Sequence, residues 1–159
     1  MAKIDSTNIM QVTIVVPDIE KAVQNTCDLF GVERPNIRHH SGPDKCVFYA
    51  NGEKCEIGDV LLCTFEFGPV GFEFAQVIDA ENTSWNDFIK RYGYGVHNIG
   101  FYVDDLDSAL EALAEKNARP IHTCLFRNES YCIVNSEDAI GVRLNIKHRG
   151  ENNEAAFKA

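Results

Sequence analysis

Two stretches of the chain run from a β-rich, alternating pattern into apolar residues at helical spacing. The first is QVTIVVPDIEKAV, from Gln11, and the second is NIGFYVDDLDSAL, from Asn98, an offset of 98 − 11 = 87 residues. Each opens on a side-chain amide, runs to a valine (Val16 or Val103) and reaches an aspartate (Asp18 or Asp105) placed to cap a helix. Ile19, Ala22, Val23, Thr26 and Phe30 then recur at helical spacing in the first copy, and Leu106, Ala109, Leu110 and Leu113 in the second. Gly31 and Asn117 suit left-handed stops for these helices.

Each half returns through strands. In the first, CVFYANGEKCEI carries a turn signal at Asn51 and Gly52, and DVLLCTFEF is joined to GFEFAQVI through Gly68 and Pro69. In the second, PIHTCLF, SYCIVN and GVRLNIKH follow, with a polar turn at 136–138 before the last strand. The pattern is therefore β-α-β-β-β twice: an α+β fold of two βαβββ modules at 8–80 and 96–148. Between them, at 81–95, TSWNDFIKRYG reads as a short amphipathic helix that Thr83 or Ser84 can cap, with Trp85, Phe88 and Ile89 on its apolar face. The tail from 149 to 159 has little apolar content and is expected to be disordered.

Strand alternation assigns faces. Val12, Ile14 and Val16 face the helix side, as do Phe72 and Phe74, Ile99, Phe101 and Val103, and Val142, Leu144 and Ile146. With the two sheets edge to edge and the helices outside, the opposite faces form one concave surface carrying Gln11, Glu73, Asn98, Arg143 and Asn145. The same alternation points His97 away from that surface.

Composition narrows the function. With 15 Lys and Arg against 24 Asp and Glu the net charge is −9, which a phosphate backbone repels, so nucleic acid is not the expected partner. No apolar run suits a membrane span, and MAKIDSTNIM lacks the apolar stretch of a secretory signal, so a cytoplasmic protein without membrane contact is expected. The six cysteines form no C-x-x-C pair and lie mostly in apolar strand text, as reduced thiols do.

IMQVTIVVPDIEKAV, GVHNIGFYVDDLDSALEAL and the closing GVRLNIKH resemble the vicinal oxygen chelate superfamily, which includes glyoxalase I, methylmalonyl-CoA epimerase, extradiol dioxygenases and bleomycin-binding proteins. SWNDFIKRYGYGVHNIGFYVDD looks most like bacterial relatives of methylmalonyl-CoA epimerase. The resemblance implies a homodimer and a divalent cation held by one side chain from each of four strands, commonly His, Glu or Gln, His and Glu. Carried over by motif, those positions are Gln11, Glu73, Asn98 and Asn145. Amide oxygens are weak, neutral ligands for transition metals, so no cofactor is expected, with a weakly held divalent cation at these four residues as the alternative.

Two functions stay open. One is an enzyme like a glyoxalase or epimerase, with Glu73 removing a proton next to the carbonyl of a small carbonyl or thioester metabolite. The other is a non-catalytic small-molecule binding or sequestering protein of the bleomycin-resistance type. Gln11, Asn98 and Asn145 read as ligand-binding residues or as a hydrogen-bonded polar floor. Arg143 is expected either to pair with Glu73 or to bind a substrate anion. His39 and His40, in a loop rich in Pro and charge, read as exposed; His122 carries no pattern.

Overall fold

The computed structural model describes residues 2–40 and 46–150. Two of the expected features fall partly outside them: the loop after His40, and the tail beyond Gly150. The first module runs β1 (Gln11–Val15), α1 (Ile19–Phe30), β2 (Arg38–His39), β3 (Val47–Ala50), β4 (Glu53–Lys54), β5 (Asp59–Phe67) and β6 (Val70–Asp79). The linking helix is α2 (Ser84–Tyr92). The second module runs β7 (Gly95–Val103), α3 (Leu106–Ala114), β8 (Pro120–Leu125), β9 (Glu129–Val134), the single-turn α4 (Glu137–Ile140) where a turn was expected, and β10 (Arg143–Arg149).

Helix ends follow the local chemistry. The Asp18 carboxylate accepts from the Lys21 amide at 3.0 Å, and Asp105 accepts from the Ser108 amide at 2.9 Å. Gly31 closes α1 at φ 64° and Asn117 ends the turn after α3 at φ 60°. Thr83, not Ser84, caps α2.

The sheet has ten strands in the order β2-β5-β6-β1-β7-β10-β9-β8-β3-β4. The modules meet where β1 and β7 pair antiparallel, with Val12 opposite Ile99. Those two residues are themselves repeat equivalents, 99 − 12 = 87, so the local two-fold axis of the repeat passes between them. Helix α1 covers one convex face through Ile19 and Val23, packed on Phe65 and Phe74. Helix α3 covers the other through Ala109 and Leu113, packed on Leu144 and Ile146.

The segment read as a loop carries a short strand, Arg38–His39, which pairs with β5, whereas the strand expected next, Val47–Ala50, turns back on Glu53–Lys54 and crosses to pair with β8 of the second module. This crossing strand brings Phe48 over the concave side, where it clusters with Val15, Leu62, Cys124 and Trp85 of α2. One end of the concave space is thus filled with apolar side chains, and the polar floor lies beside that plug. All six cysteines are free thiols.

Candidate functional site

Register builds the floor. Parallel pairing sets Gln11 beside Gly71 and Thr13 beside Glu73; antiparallel pairing sets Gln11 opposite Gly100 and Thr13 opposite Asn98. On the far side Asn98 lies beside Arg143, and Gly100 beside Asn145. Four adjacent strands therefore carry two rows, Gly71–Gln11–Gly100–Asn145 and Glu73–Thr13–Asn98–Arg143. The four positions that the family resemblance pointed to share one face. A Cβ on Gly100 would meet the Gln11 Cβ at 3.2 Å and the Met10 sulfur at 3.4 Å, so glycine at this place lets those side chains pack close against β7.

Glu73 is 7 % exposed, and a carboxylate so placed needs partners. The Thr13 hydroxyl donates to Oε1 at 3.3 Å, the Thr64 hydroxyl donates to Oε2 at 3.2 Å, and Arg38 Nη2 reaches Oε2 at 3.2 Å. Arg38 itself is half exposed, so the carboxylate lies just beneath a solvent-facing guanidinium.

The expected partner of Glu73, Arg143, is engaged elsewhere. Its Nε donates to Glu137, its Nη1 to the Ser84 carbonyl and its Nη2 to Asp87, at 2.5, 2.7 and 2.7 Å. The guanidinium also lies 5.6 Å from the Phe88 ring centroid. Arg143 is the first residue of β10, at the end of its row nearest α2, and three strand spacings of about 4.8 Å separate it from Glu73. Its role is to clamp α2 and α4 to the sheet. Burial raises the Asp87 carboxyl, but its bonds to Arg143 and Arg91 outweigh that and hold it below the usual carboxylate range.

The position of His97 departs from simple alternation. The β1–β7 register shifts between Thr13 and Ile14, where Asn98 and Val96 are the successive partners, so His97 is the extra residue of a bulge. Both His97 and Asn98 are buried as a result. His97 turns toward α2, with ring centroids 5.2 Å from Phe88 and 6.3 Å from Trp85. The Asn98 amide nitrogen donates to His97 Nδ1 at 2.7 Å, which leaves the ring proton on Nε2. Burial, then the Arg143 charge, pushes His97 down to about 3, so it is neutral at physiological pH.

A second polar group, which the sequence did not single out, crosses the plugged end. The Ser84 hydroxyl and amide both meet His122 Nδ1, at 2.9 and 3.3 Å, so that nitrogen is the acceptor. His122 Nε2 then donates to the Tyr131 hydroxyl at 3.1 Å, and that hydroxyl is hydrogen-bonded to His40 Nε2 at 2.9 Å. Burial first, then the charges of His40, His97 and Arg143, hold His122 well below its ordinary value. Burial raises Tyr131 well above its own. His39 meets the expectation of exposure and pairs with Asp59, whereas His40 points inward. No spacing rule joins residues 40, 84, 122 and 131; the β3 crossing and α2 bring them together.

The amide oxygens of Gln11, Asn98 and Asn145 are buried without a hydrogen-bond partner. A transition metal does not fit this donor set. Three of its four members are neutral amides, Asn98 is already bonded to His97, and both Glu73 oxygens are already bonded. Among the described residues no group of three or more His, Cys, Asp or Glu side chains is placed to hold a metal. A cavity of about 650 Å³ opens beside α2, between Asn51, Lys54, Lys90 and Glu137, and of the floor residues only Arg143 lines it. No helix among the described residues is long and apolar enough to cross a membrane.

A profile of the Glyoxalase/Bleomycin resistance protein/Dioxygenase superfamily matches residues 10–129, most of the chain. The chain belongs to that superfamily. Among solved structures, the methylmalonyl-CoA epimerase of Mycobacterium tuberculosis is similar with a TM-score of 0.59 at 17 % identity, covering 94 % of this chain and 93 % of that one. A Streptomyces coelicolor methylmalonyl-CoA epimerase variant in complex with 2-nitronate-propionyl-CoA gives 0.58 at 16 % identity, covering 92 % and 99 %. A methylmalonyl-CoA epimerase in complex with methylmalonyl-CoA and NH4+ gives 0.57 at 14 % identity, covering 96 % and 100 %. At these identities the likeness establishes the shared fold. No curated protein matches the sequence.

Proposed function

We propose that this member of the superfamily is an epimerase- or glyoxalase-like enzyme that moves a proton on a carbon next to the carbonyl of a small thioester or carbonyl metabolite. Glu73 is the base. The observation that carries this reading is a carboxylate held in place by two threonine hydroxyls and Arg38, on the same floor as amides without partners. Positioned carboxylates of this kind accept a proton from a C–H acid once the substrate is held within hydrogen-bond reach.

Removing that proton places negative charge on the carbonyl oxygen. The amide nitrogens of Gln11 and Asn145 make no hydrogen bond among the described residues, so both can donate to a developing oxyanion. Asn98 is a positioning residue in this scheme, since its amide nitrogen is committed to His97. Such donors supply part of the stabilisation that a metal gives elsewhere in the family, and no step here requires one.

The test is incubation with methylmalonyl-CoA and related acyl thioesters in D2O, with mass spectrometry of recovered thioester. Solvent deuterium at the carbon next to the carbonyl, lost by at least about a hundredfold in Glu73→Gln, is the expected result. The amides at three of the four inherited positions favour a second reading, a binding protein without chemistry. Saturable thioester binding with no deuterium uptake, unchanged in Glu73→Gln, would establish that second reading and overturn the first.

A further inference from the structure

The Sγ atoms of Cys46 and Cys124 lie 3.6 Å apart, although the two residues are 78 positions apart in the chain. The β3 crossing brings them together. Val47 is opposite Leu125 and Phe48 opposite Cys124, so Cys46 sits one residue before the first pair of that ladder. Both sulfurs belong to the apolar plug at the end of the cleft. A disulfide holds its sulfurs at about 2.05 Å, so these two need to close by only about 1.5 Å. Cys46, whose backbone the β3–β8 ladder does not hold, is the one placed to move.

The two thiols differ as a disulfide-forming pair requires. Cys46 is partly exposed and within reach of a solute, whereas Cys124 is 0 % exposed. The bond with Cys124 lowers the Cys46 pKa, and burial raises that of Cys124 well above its ordinary value. Cys46 therefore reacts first and Cys124 follows. Burial raises the pKa of Cys55, of Cys63 and of Cys132, the last to about 12, which keeps all three in the less reactive thiol form.

We infer that Cys46 and Cys124 form a reversible disulfide, with a peroxide as the oxidant, and that this bond locks β3 onto β8 across the end of the cleft. The Cys46 thiolate attacks one peroxide oxygen; an S–O bond forms, the O–O bond breaks, and the released hydroxide takes up the proton that Cys46 lost. The Cys124 sulfur then attacks the sulfenic sulfur; the S–S bond forms, the S–O bond breaks, and the departing hydroxide takes the Cys124 proton. Two electrons pass from the two sulfurs to the peroxide, which leaves as two waters. The lock has something to hold. β3 pairs with β8 over four residues, and its other neighbour, β4, contributes two. So short a pairing near the end of a sheet belongs to the part of a fold that opens most readily. The same strand carries Phe48 into the cluster with Val15, Leu62 and Trp85, so opening β3 unplugs that end. In a reducing compartment such a pair acts as a redox sensor, not as a permanent staple. The switch works at the plugged end and does not depend on proton transfer at Glu73.

Peptide mapping of the freshly reduced wild-type chain tests this. The protein is treated with a few equivalents of hydrogen peroxide, denatured, alkylated and digested without reductant. A Cys46–Cys124 linked peptide pair should be the main product, with Cys27, Cys55, Cys63 and Cys132 alkylated, and dithiothreitol should reverse the link. Amide hydrogen exchange over residues 47–50 should slow at least about tenfold in the oxidised protein. Cys46→Ser should consume peroxide at least about tenfold more slowly than the wild type. Six alkylated thiols after peroxide, a link from either residue to Cys55, or sulfinic acid at Cys46 beside a free Cys124 would overturn the pairing. Unchanged exchange over 47–50 in the cross-linked protein would overturn the lock.

Discussion

Acid should destabilise this protein through His97, and the size of the effect follows from its burial. The ring is 0 % exposed, and burial together with the Arg143 charge lowers its pKa from 6.5 to about 3. The unfolded chain takes up a proton below pH 6.5, and the folded chain does not do so until about pH 3. Stability is therefore complete above 6.5 and falls as the pH drops from 6.5 toward 3. At pH 5 the solution is one and a half units below the unfolded value, at about 1.36 kcal/mol per unit, so His97 alone removes about 2 kcal/mol. That is a large share of the roughly 5–15 kcal/mol that holds a domain together. His122, lowered by burial and by its charged neighbours, acts in the same direction. Urea unfolding of the wild type and of His97→Gln at pH 7, 6 and 5 measures it. The variant starts less stable, yet its stability should fall by about 2 kcal/mol less between pH 7 and 5, because one proton fewer is taken up on unfolding. Equal pH slopes for the two proteins would refute the reasoning, as would an imidazole NMR signal of His97 titrating near 6.5.

Arg143→Met should cost about 3 kcal/mol in the same unfolding assay, because it removes the clamp among Asp87, Glu137 and the Ser84 carbonyl and leaves carboxylates near apolar surface; a loss under about 1 kcal/mol would mean that α2 is held by packing alone. Asp18→Ala should cost about 1 kcal/mol through loss of the bond to the Lys21 amide, with Asp18→Ser largely preserving stability. Asn98→His combined with Asn145→Glu adds an imidazole and a carboxylate beside Glu73, and should let the protein retain zinc, nickel or cobalt through dialysis against a weak chelator, read by elemental analysis. Stoichiometric transition metal in the unmodified protein under the same dialysis would show that the amides are better ligands than their chemistry indicates.

What the chain determines locally is legible in its sequence. Alternation and the 87-residue offset specify β1 and β7, their helices and the aspartate caps, because hydrogen bonding and burial along one strand or helix depend on residues a few positions apart. The same alternation carries Gln11, Glu73, Asn98 and Asn145 to one face, since the register of adjoining strands keeps its phase across β6, β1, β7 and β10. Where the phase breaks, the reading fails: one extra residue at the β7 bulge turns His97 inward beside Asn98, and no periodicity announces it. The partners of each charge were also hidden. Arg38 reaches Glu73 from 35 residues away, and Arg143 meets Asp87 from 56, because strand pairing and helix docking bring together groups whose attraction depends on distance in space and not along the chain. Tertiary structure alone decides that β3 leaves its own module for β8, which fills one end of the cleft with Phe48 and Trp85 and links Ser84, His122, Tyr131 and His40. That crossing is decided by the edge that β8 leaves open and by the apolar surface beneath it, quantities that exist only once both modules are folded.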